Sequence, residues 1–167
     1  MHGTAHIVGF DPRWREDFAR LNLEWLRRWF VVEPVDEEVL GDPERHILAD
    51  GGQVLFALDP DGSRAIGTVA LRHDGDGVFE LTKMAVEPEQ RGTGIGRALL
   101  LAAIDAYRGL GGRELYLESS SLLQPALRLY ESAGFVHRPA PRPGSHYARA
   151  DVHMVWEPGV ASGQDAA

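Results

Sequence analysis

Between Gln90 and Leu100 the sequence reads QRGTGIGRALL, three glycines within five positions followed at once by residues of helical preference. Glycine inside a helix start costs about 1 kcal/mol relative to alanine, so a cluster there answers some other need. The preceding run, VFELTKMAV, is rich in β-formers, which makes the whole a strand that ends in a glycine turn and opens a helix. Such a junction leaves backbone N–H groups without helical partners at a positive dipole end, and small residues let an anion come close to them. The donors would be the amides of Gly92, Thr93, Gly94, Ile95 and Gly96, with Arg91 and Arg97 adding fixed positive charge on either side. A phosphate or diphosphate suits that arrangement. The competing account is a tight turn whose glycines serve close helix packing.

The loop is not a nucleoside-triphosphate loop, because GIGRAL lacks the lysine and hydroxyl that such a loop requires. A dinucleotide or S-adenosylmethionine site is a nearer alternative, since Glu118 closes the next β-rich run about twenty residues on, where a ribose-binding acid stands. Two features oppose it. The glycines fall as Gly-x-Gly-x-Gly, and the residues EPEQR separate the strand from the first of them, where a dinucleotide turn is immediate.

Around the loop, Asp11-Pro12 reads as an N-cap and first turn, and Trp14, Phe18, Leu21, Trp25 and Trp29 recur on one helical face over Pro12 to Phe30. The acidic stretch EPVDEEVLGDPERHIL, broken by Pro34, Gly41 and Pro43, is a short helix and loop. QVLFAL and RAIGTVALRH form a hairpin across DPDG, and DGDG turns the chain into VFELTKMAV, a third antiparallel strand. A helix from Gly94 to about Arg108, the strand RELYLES, the helix LLQPALRLYESA ended by Gly134 and the strand DVHMVW follow. The order is helix, three antiparallel strands, helix, strand, helix, strand: an α/β fold on a mixed sheet that is not doubly wound.

These residues resemble the core of the GNAT-type N-acetyltransferases, whose acyl-CoA loop reads Gln/Arg-x-x-Gly-x-Gly/Ala and is met here by Arg91 to Gly96 after Gln90. LTKMAVEPEQRGTGIG and PALRLYESAGF together match the family in order and spacing, and the chain from about Trp14 to Trp156 is similar to it throughout. The resemblance implies a mixed, largely antiparallel central sheet of about six to seven strands flanked by about four helices. It also implies an enzyme that moves an acetyl group from acetyl-CoA to a primary amine by direct attack in a ternary complex, with the loop holding the diphosphate of coenzyme A.

Along VFELTKMAV the large apolar residues sit at Phe79 and Leu81, then at Met84 and Val86, so the period-two pattern slips near Thr82 and Lys83. A β-bulge explains the slip, and a strand buried on both faces is the alternative. In the family, backbone groups at Met84, Ala85 and Val86 pair with the pantetheine arm, and an N–H freed at the bulge polarises the thioester carbonyl. Tyr130 matches the acid that protonates the leaving thiolate. Glu80, just before the bulge, is the candidate to take the proton of the amine, which at pKa near 10.4 arrives as an ammonium. Glu33 and Glu118 are second choices for that base. Ser120 stands where the family often carries an asparagine and, with Pro125, is assigned to the cofactor. The first helix, the loop after it and the last strands build the acceptor side, so Glu33, Tyr147 and Arg149 are expected there. Arg149 is either a clamp for a substrate carboxylate, as an amino acid would bring, or an arginine bonded to a neighbouring loop.

Composition narrows the rest. A net charge of −8 opposes a nucleic-acid surface. The absence of cysteine excludes disulfides, thiolate metal sites and a cysteine nucleophile, and the seven scattered histidines, His2 and His6 included, assemble no metal ligand set. No signal peptide and no run of ~20 apolar residues is present, so a cytoplasmic protein without membrane contact is expected. Residues 1–157 read as one domain and residues 158–167 as a disordered tail. A homodimer is a family expectation. Two other functions are kept open: an acyl-CoA-binding regulatory module without turnover, and an S-adenosylmethionine-dependent methyltransferase.

Overall fold

The computed structural model describes residues 6–145 and 147–158, so His2 and the tail from residue 159 lie outside the described residues. After β1 (His6–Gly9), a 3-10 turn over Pro12–Trp14 leads into α1 (Arg15–Trp29), then α2 (Pro34–Gly41) and a π-helical turn over Glu44–Leu48. The meander β2 (Gln53–Leu58), β3 (Ala65–His73) and β4 (Val78–Val86) precedes α3 (Ile95–Gly109). The chain closes with β5 (Glu114–Ser119), α4 (Gln124–Ala133), β6 (Phe135–Arg138) and β7 (Val152–Trp156).

The strands form one sheet in the order β1-β2-β3-β4-β5-β7-β6. Every neighbouring pair is antiparallel except β4 and β5, which run parallel. This topology rejects the doubly wound sheet that a dinucleotide or methyltransferase reading required. β1 and β6 are additions to the five strands read from sequence. Both are four residues long and lie on the two edges of the sheet, where partial exposure erases the alternation that marks a strand.

Two apolar layers cover the sheet. On one face Leu99, Leu100 and Ala103 of α3 and Leu127 of α4 pack on Leu71, Leu81 and Leu117. On the other, Phe18 and Leu21 of α1 meet Phe56, Ile47 and Ala70. Full burial of a side chain such as Phe18 stabilises the fold by roughly 1.5–3 kcal/mol. Asp11 caps the N-terminal turn as expected, its Oδ1 accepting the Arg13 N–H at 2.9 Å. The expected apolar face of α1 needs one correction. Leu26, not Trp29, continues the core, and Trp29 is 44% exposed. Among the described residues no helix is long and apolar enough to cross a membrane.

Candidate functional site

The expected slip in β4 is a bulge. Thr68 pairs with Ala85 and Ala70 with Thr82, which leaves Val69 alone opposite Lys83 and Met84. Lys83 takes up the extra residue at φ +54°, a left-handed conformation that disfavours any residue with a Cβ. A second irregularity was not legible in the sequence. The parallel ladder between β4 and β5 runs only from Val78–Glu80 to Glu114–Tyr116, although both strands continue. Past Glu80 the two strands part, and the edge of β4 from Leu81 to Val86 faces a gap where a neighbour would be. A row of unladdered N–H and C=O groups is a template for another extended chain.

That gap is the throat of a cavity of about 580 Å³. Its donor end is lined by Met84, Ala85, Val86, Arg91, Gly92 and Gly96. Gly92 (φ +78°) and Gly94 (φ +88°) turn the chain into α3, and a Cβ at either would touch nothing within 4 Å, so backbone conformation rather than crowding demands glycine there. Of the five amides assigned to the anion, the Thr93 N–H is bonded within the turn, to Gln90 O at 3.3 Å. Those of Gly92, Gly94, Ile95 and Gly96 donate to no other group among the described residues. Arg91 reaches the cavity, but Arg97 lies outside its wall and donates to Ser132 Oγ of α4 at 3.0 Å. Thr93, Gly94 and Ile95 likewise do not belong to that lining.

Across the gap, Ser120, Pro125 and Tyr130 line the same cavity. Ser120 is buried and its Oγ accepts the Leu122 N–H at 3.2 Å, so it caps its own loop and keeps its hydroxyl proton for another acceptor. Burial pushes the Tyr130 hydroxyl up to about 12, and its ring packs edge-on against Phe135.

The acceptor end combines β4, β5, α1 and the β6–β7 loop. Glu80 is almost fully buried, and its Oε1 accepts Arg72 Nε at 2.9 Å. The pairing with Lys83 that a half-exposed Glu80 would make is therefore absent. Burial lifts its carboxyl above the ordinary range, outweighing the pull of Arg72. Arg72 also donates to the Tyr116 oxygen at 3.2 Å, and the Tyr116 hydroxyl donates to Asp74 at 3.1 Å.

Lys83 and Arg149 instead converge on Asp36, a residue the sequence did not single out. Asp36 is fully buried on α2. Its oxygens accept Lys83 Nζ at 3.0 Å, Arg149 Nη1 at 3.0 Å, Arg149 Nη2 at 2.9 Å and the Glu33 N–H at 2.9 Å. Burial alone would raise its carboxyl, but the Arg149 bonds and the other donors hold it at about 2. Lys83 Nζ also donates to Tyr147 OH at 3.2 Å, and Arg149 Nη1 to Glu33 Oε2 at 2.9 Å. Tyr147 and Arg149 line the cavity. Glu33 does not, because it faces Arg149. The second of the two sequence accounts of Arg149, an arginine bonded to a neighbouring loop, is the one its contacts match.

The sequence held no periodic signal for buried Asp36 or half-buried Arg72, whose ion-pair partners Lys83 and Glu80 lie 47 and 8 positions away. Trp29 and Leu122, exposed at 44% and 67%, border the same cavity.

Residues 14–135 match the Acetyltransferase (GNAT) family. An uncharacterised N-acetyltransferase of Schizosaccharomyces pombe is 34% identical over 140 residues, 78% of this chain and 85% of that protein. A GNAT-family acetyltransferase structure from Staphylococcus aureus shares the fold with a TM-score of 0.82 at 19% identity, covering 93% of this chain and 99% of that one. A phosphinothricin acetyltransferase from Sinorhizobium meliloti, solved in complex with AcCoA, gives a TM-score of 0.73 at 20% identity over 92% of this chain and 88% of its own.

Proposed function

Because the chain belongs to the GNAT acetyltransferase family, we propose that it moves the acetyl group of acetyl-CoA onto a small primary amine, by direct attack while both substrates are bound. One observation carries the reading. A strand that parts from one neighbour after Glu80 and bulges against the other at Lys83 faces a single cavity that runs from the glycine loop to a buried carboxylate. Acetyl-CoA supplies an activated carbonyl and a thiolate leaving group.

Each part of the wall has a task. The amides of Gly92, Gly94, Ile95 and Gly96, with Arg91, bind the diphosphate. The open edge of β4 at Met84, Ala85 and Val86 pairs with the amide groups of the pantetheine arm as a β-strand would. An amide released by the bulge then meets the charge that develops on the carbonyl oxygen. Lys83, anchored on Asp36, fixes the bulge in its left-handed conformation.

Tyr130 donates a hydrogen bond to the departing sulfur. With the hydroxyl at about 12 and a thiol near 8.5, full proton transfer is uphill by roughly 3–4 units, so the hydroxyl acts by hydrogen bonding to the thiolate. Glu80 takes the proton of the ammonium, directly or through water, and its raised pKa makes it a stronger base than a solvated carboxylate. The second proton, which the nitrogen sheds as the amide forms, leaves with the sulfur as the thiol. No cysteine exists to carry an acyl group between the two substrates.

The reading is tested by following thiol release from acetyl-CoA against a panel of amino acids, polyamines and arylalkylamines, with the product identified by mass. Amine-dependent release with a matching acetylamine supports it. Tight acetyl-CoA binding with no amine-dependent release would leave the protein a binding module.

A further inference from the structure

The charges and hydrogen-bond donors around the acceptor end narrow the amine further, and this step rests on the acetyl-transfer reading above. The charged residues in the cavity wall are Glu80, Lys83, Arg91, Glu118 and Arg149. Arg91 belongs to the donor end. Lys83 and Arg149 are paired with Asp36 and Glu33, so their positive charge is already balanced within the chain and is not left over for a substrate carboxylate. Glu80 is matched by Arg72. Glu118 is different: its Oε1 is shielded from solvent and accepts no hydrogen bond from any described residue.

The residue beside Glu118 does not help it. His153 is its partner across β5 and β7. His153 Nδ1 lies 3.2 Å from Pro139 O, and the ring makes no hydrogen bond to Glu118. Nε2 is also buried without a partner among the described residues. A sequestered carboxylate oxygen of a cavity-wall residue with no donor is a deficit that a native structure fills from outside the chain. An ammonium brings three donors, whereas a carboxylate would add acceptors and a like charge.

At the end of α1 the wall is aromatic. Trp25, Trp29 and Phe30 at the end of α1 face Leu122 from the other side of the opening, and Trp25 and Phe30 pair with ring centroids 5.9 Å apart. Trp29 and Leu122 are large apolar groups left exposed at the mouth. Aromatic walls favour an aromatic ligand through offset and edge contacts.

We infer that the acceptor is a primary amine carried on an aromatic body and free of any carboxylate, with Glu118 receiving its N–H groups and the α1 aromatics its ring. Glu118 is then a specificity-determining residue and Glu80 the base.

The test compares matched pairs, 2-phenylethylamine with phenylalanine and tryptamine with tryptophan, alongside n-butylamine, by initial rates of thiol release. A charge-assisted hydrogen bond is worth about ten-fold or more. Each amine is expected to exceed its amino acid, and 2-phenylethylamine to exceed n-butylamine, by at least about ten-fold in kcat/KM. Glu118→Gln is expected to raise KM for 2-phenylethylamine about ten-fold and to shrink the amine-to-amino-acid ratio, with KM for acetyl-CoA and the thermal melt unchanged. A merely structural Glu118 would move the melt and both KM values together. Equal or better use of the amino acids, or an unchanged amine KM in the variant, overturns the inference and leaves acetyl transfer standing. Turnover of n-butylamine or a polyamine alone does the same. Silence of every amine despite acetyl-CoA binding by calorimetry overturns both.

Discussion

The two ends of the cavity are built on opposite principles. The donor end is made of backbone: a bulged strand edge, four amides without internal partners and one arginine, all within the stretch from Lys83 to Gly96. The acceptor end is made of side chains brought from α1, α2, β4, β5 and the β6–β7 loop, with contacts such as Arg149 to Glu33 spanning 116 positions. Backbone groups are the same in any sequence that folds this way, so the donor end can hold one ligand while the acceptor end is rewritten residue by residue. The bulge is the seam between them. Lys83 adopts its strained φ on the donor side and sends its amine to Asp36 on the acceptor side.

Asp36 is where that contrast is most easily broken. Asp36→Ala leaves Lys83 and Arg149 without their shared anion in a buried place, and a loss of about 3–5 kcal/mol in urea unfolding is expected. A loss below about 1 kcal/mol would mean that the seam is not held there. The pH dependence has a fixed sign. The folded carboxyl sits at about 2 against an ordinary 3.8, so its contribution of roughly 2 kcal/mol is complete above pH ~4 and fades as the pH falls towards 2. Asp36→Asn should flatten stability across that window.

Tyr130 separates binding from chemistry. If the hydroxyl acts only on the departing sulfur, Tyr130→Phe lowers kcat about 100-fold and leaves KM for acetyl-CoA within about two-fold, because the ring still packs on Phe135. Steady-state rates at saturating amine decide it. A large rise in KM with kcat preserved would move Tyr130 from the reaction to the wall.

The same contrast explains what could be read in advance. Gly92, Gly94 and the slip at Thr82 to Lys83 are local signals, one of backbone conformation and one of pattern, and both survive without knowledge of the fold. The parting of β4 from β5 is not local: it depends on how the parallel ladder ends at Glu80, which neither strand records by itself. Asp36 and Arg72 drew no expectation from the sequence, because an ion pair is visible only when both partners are known. Arg149 lines the cavity, and only the structure could say that two carboxylates of the chain already face it.

The smallest expected effects discriminate between the two accounts of the glycine loop, close approach of an anion and tight packing of a turn. Gly94→Ala puts a side chain at φ +88°, in open space, so its stability cost is the left-handed backbone alone, about 1–2 kcal/mol. Gly96 is the sharper site. It lies in the first turn of α3, its Cβ would meet Leu129 Cδ2 at an ordinary 3.8 Å, and alanine is the better helix former by about 1 kcal/mol. Gly96→Ala should therefore fold at least as well as the parent. It also lines the donor end, so a methyl group there stands between the loop amides and any diphosphate. A several-fold rise in KM for acetyl-CoA in a variant that melts no earlier, with KM for the amine unchanged, is what anion approach requires. An unchanged KM would return the glycines to the account in which they serve only the turn.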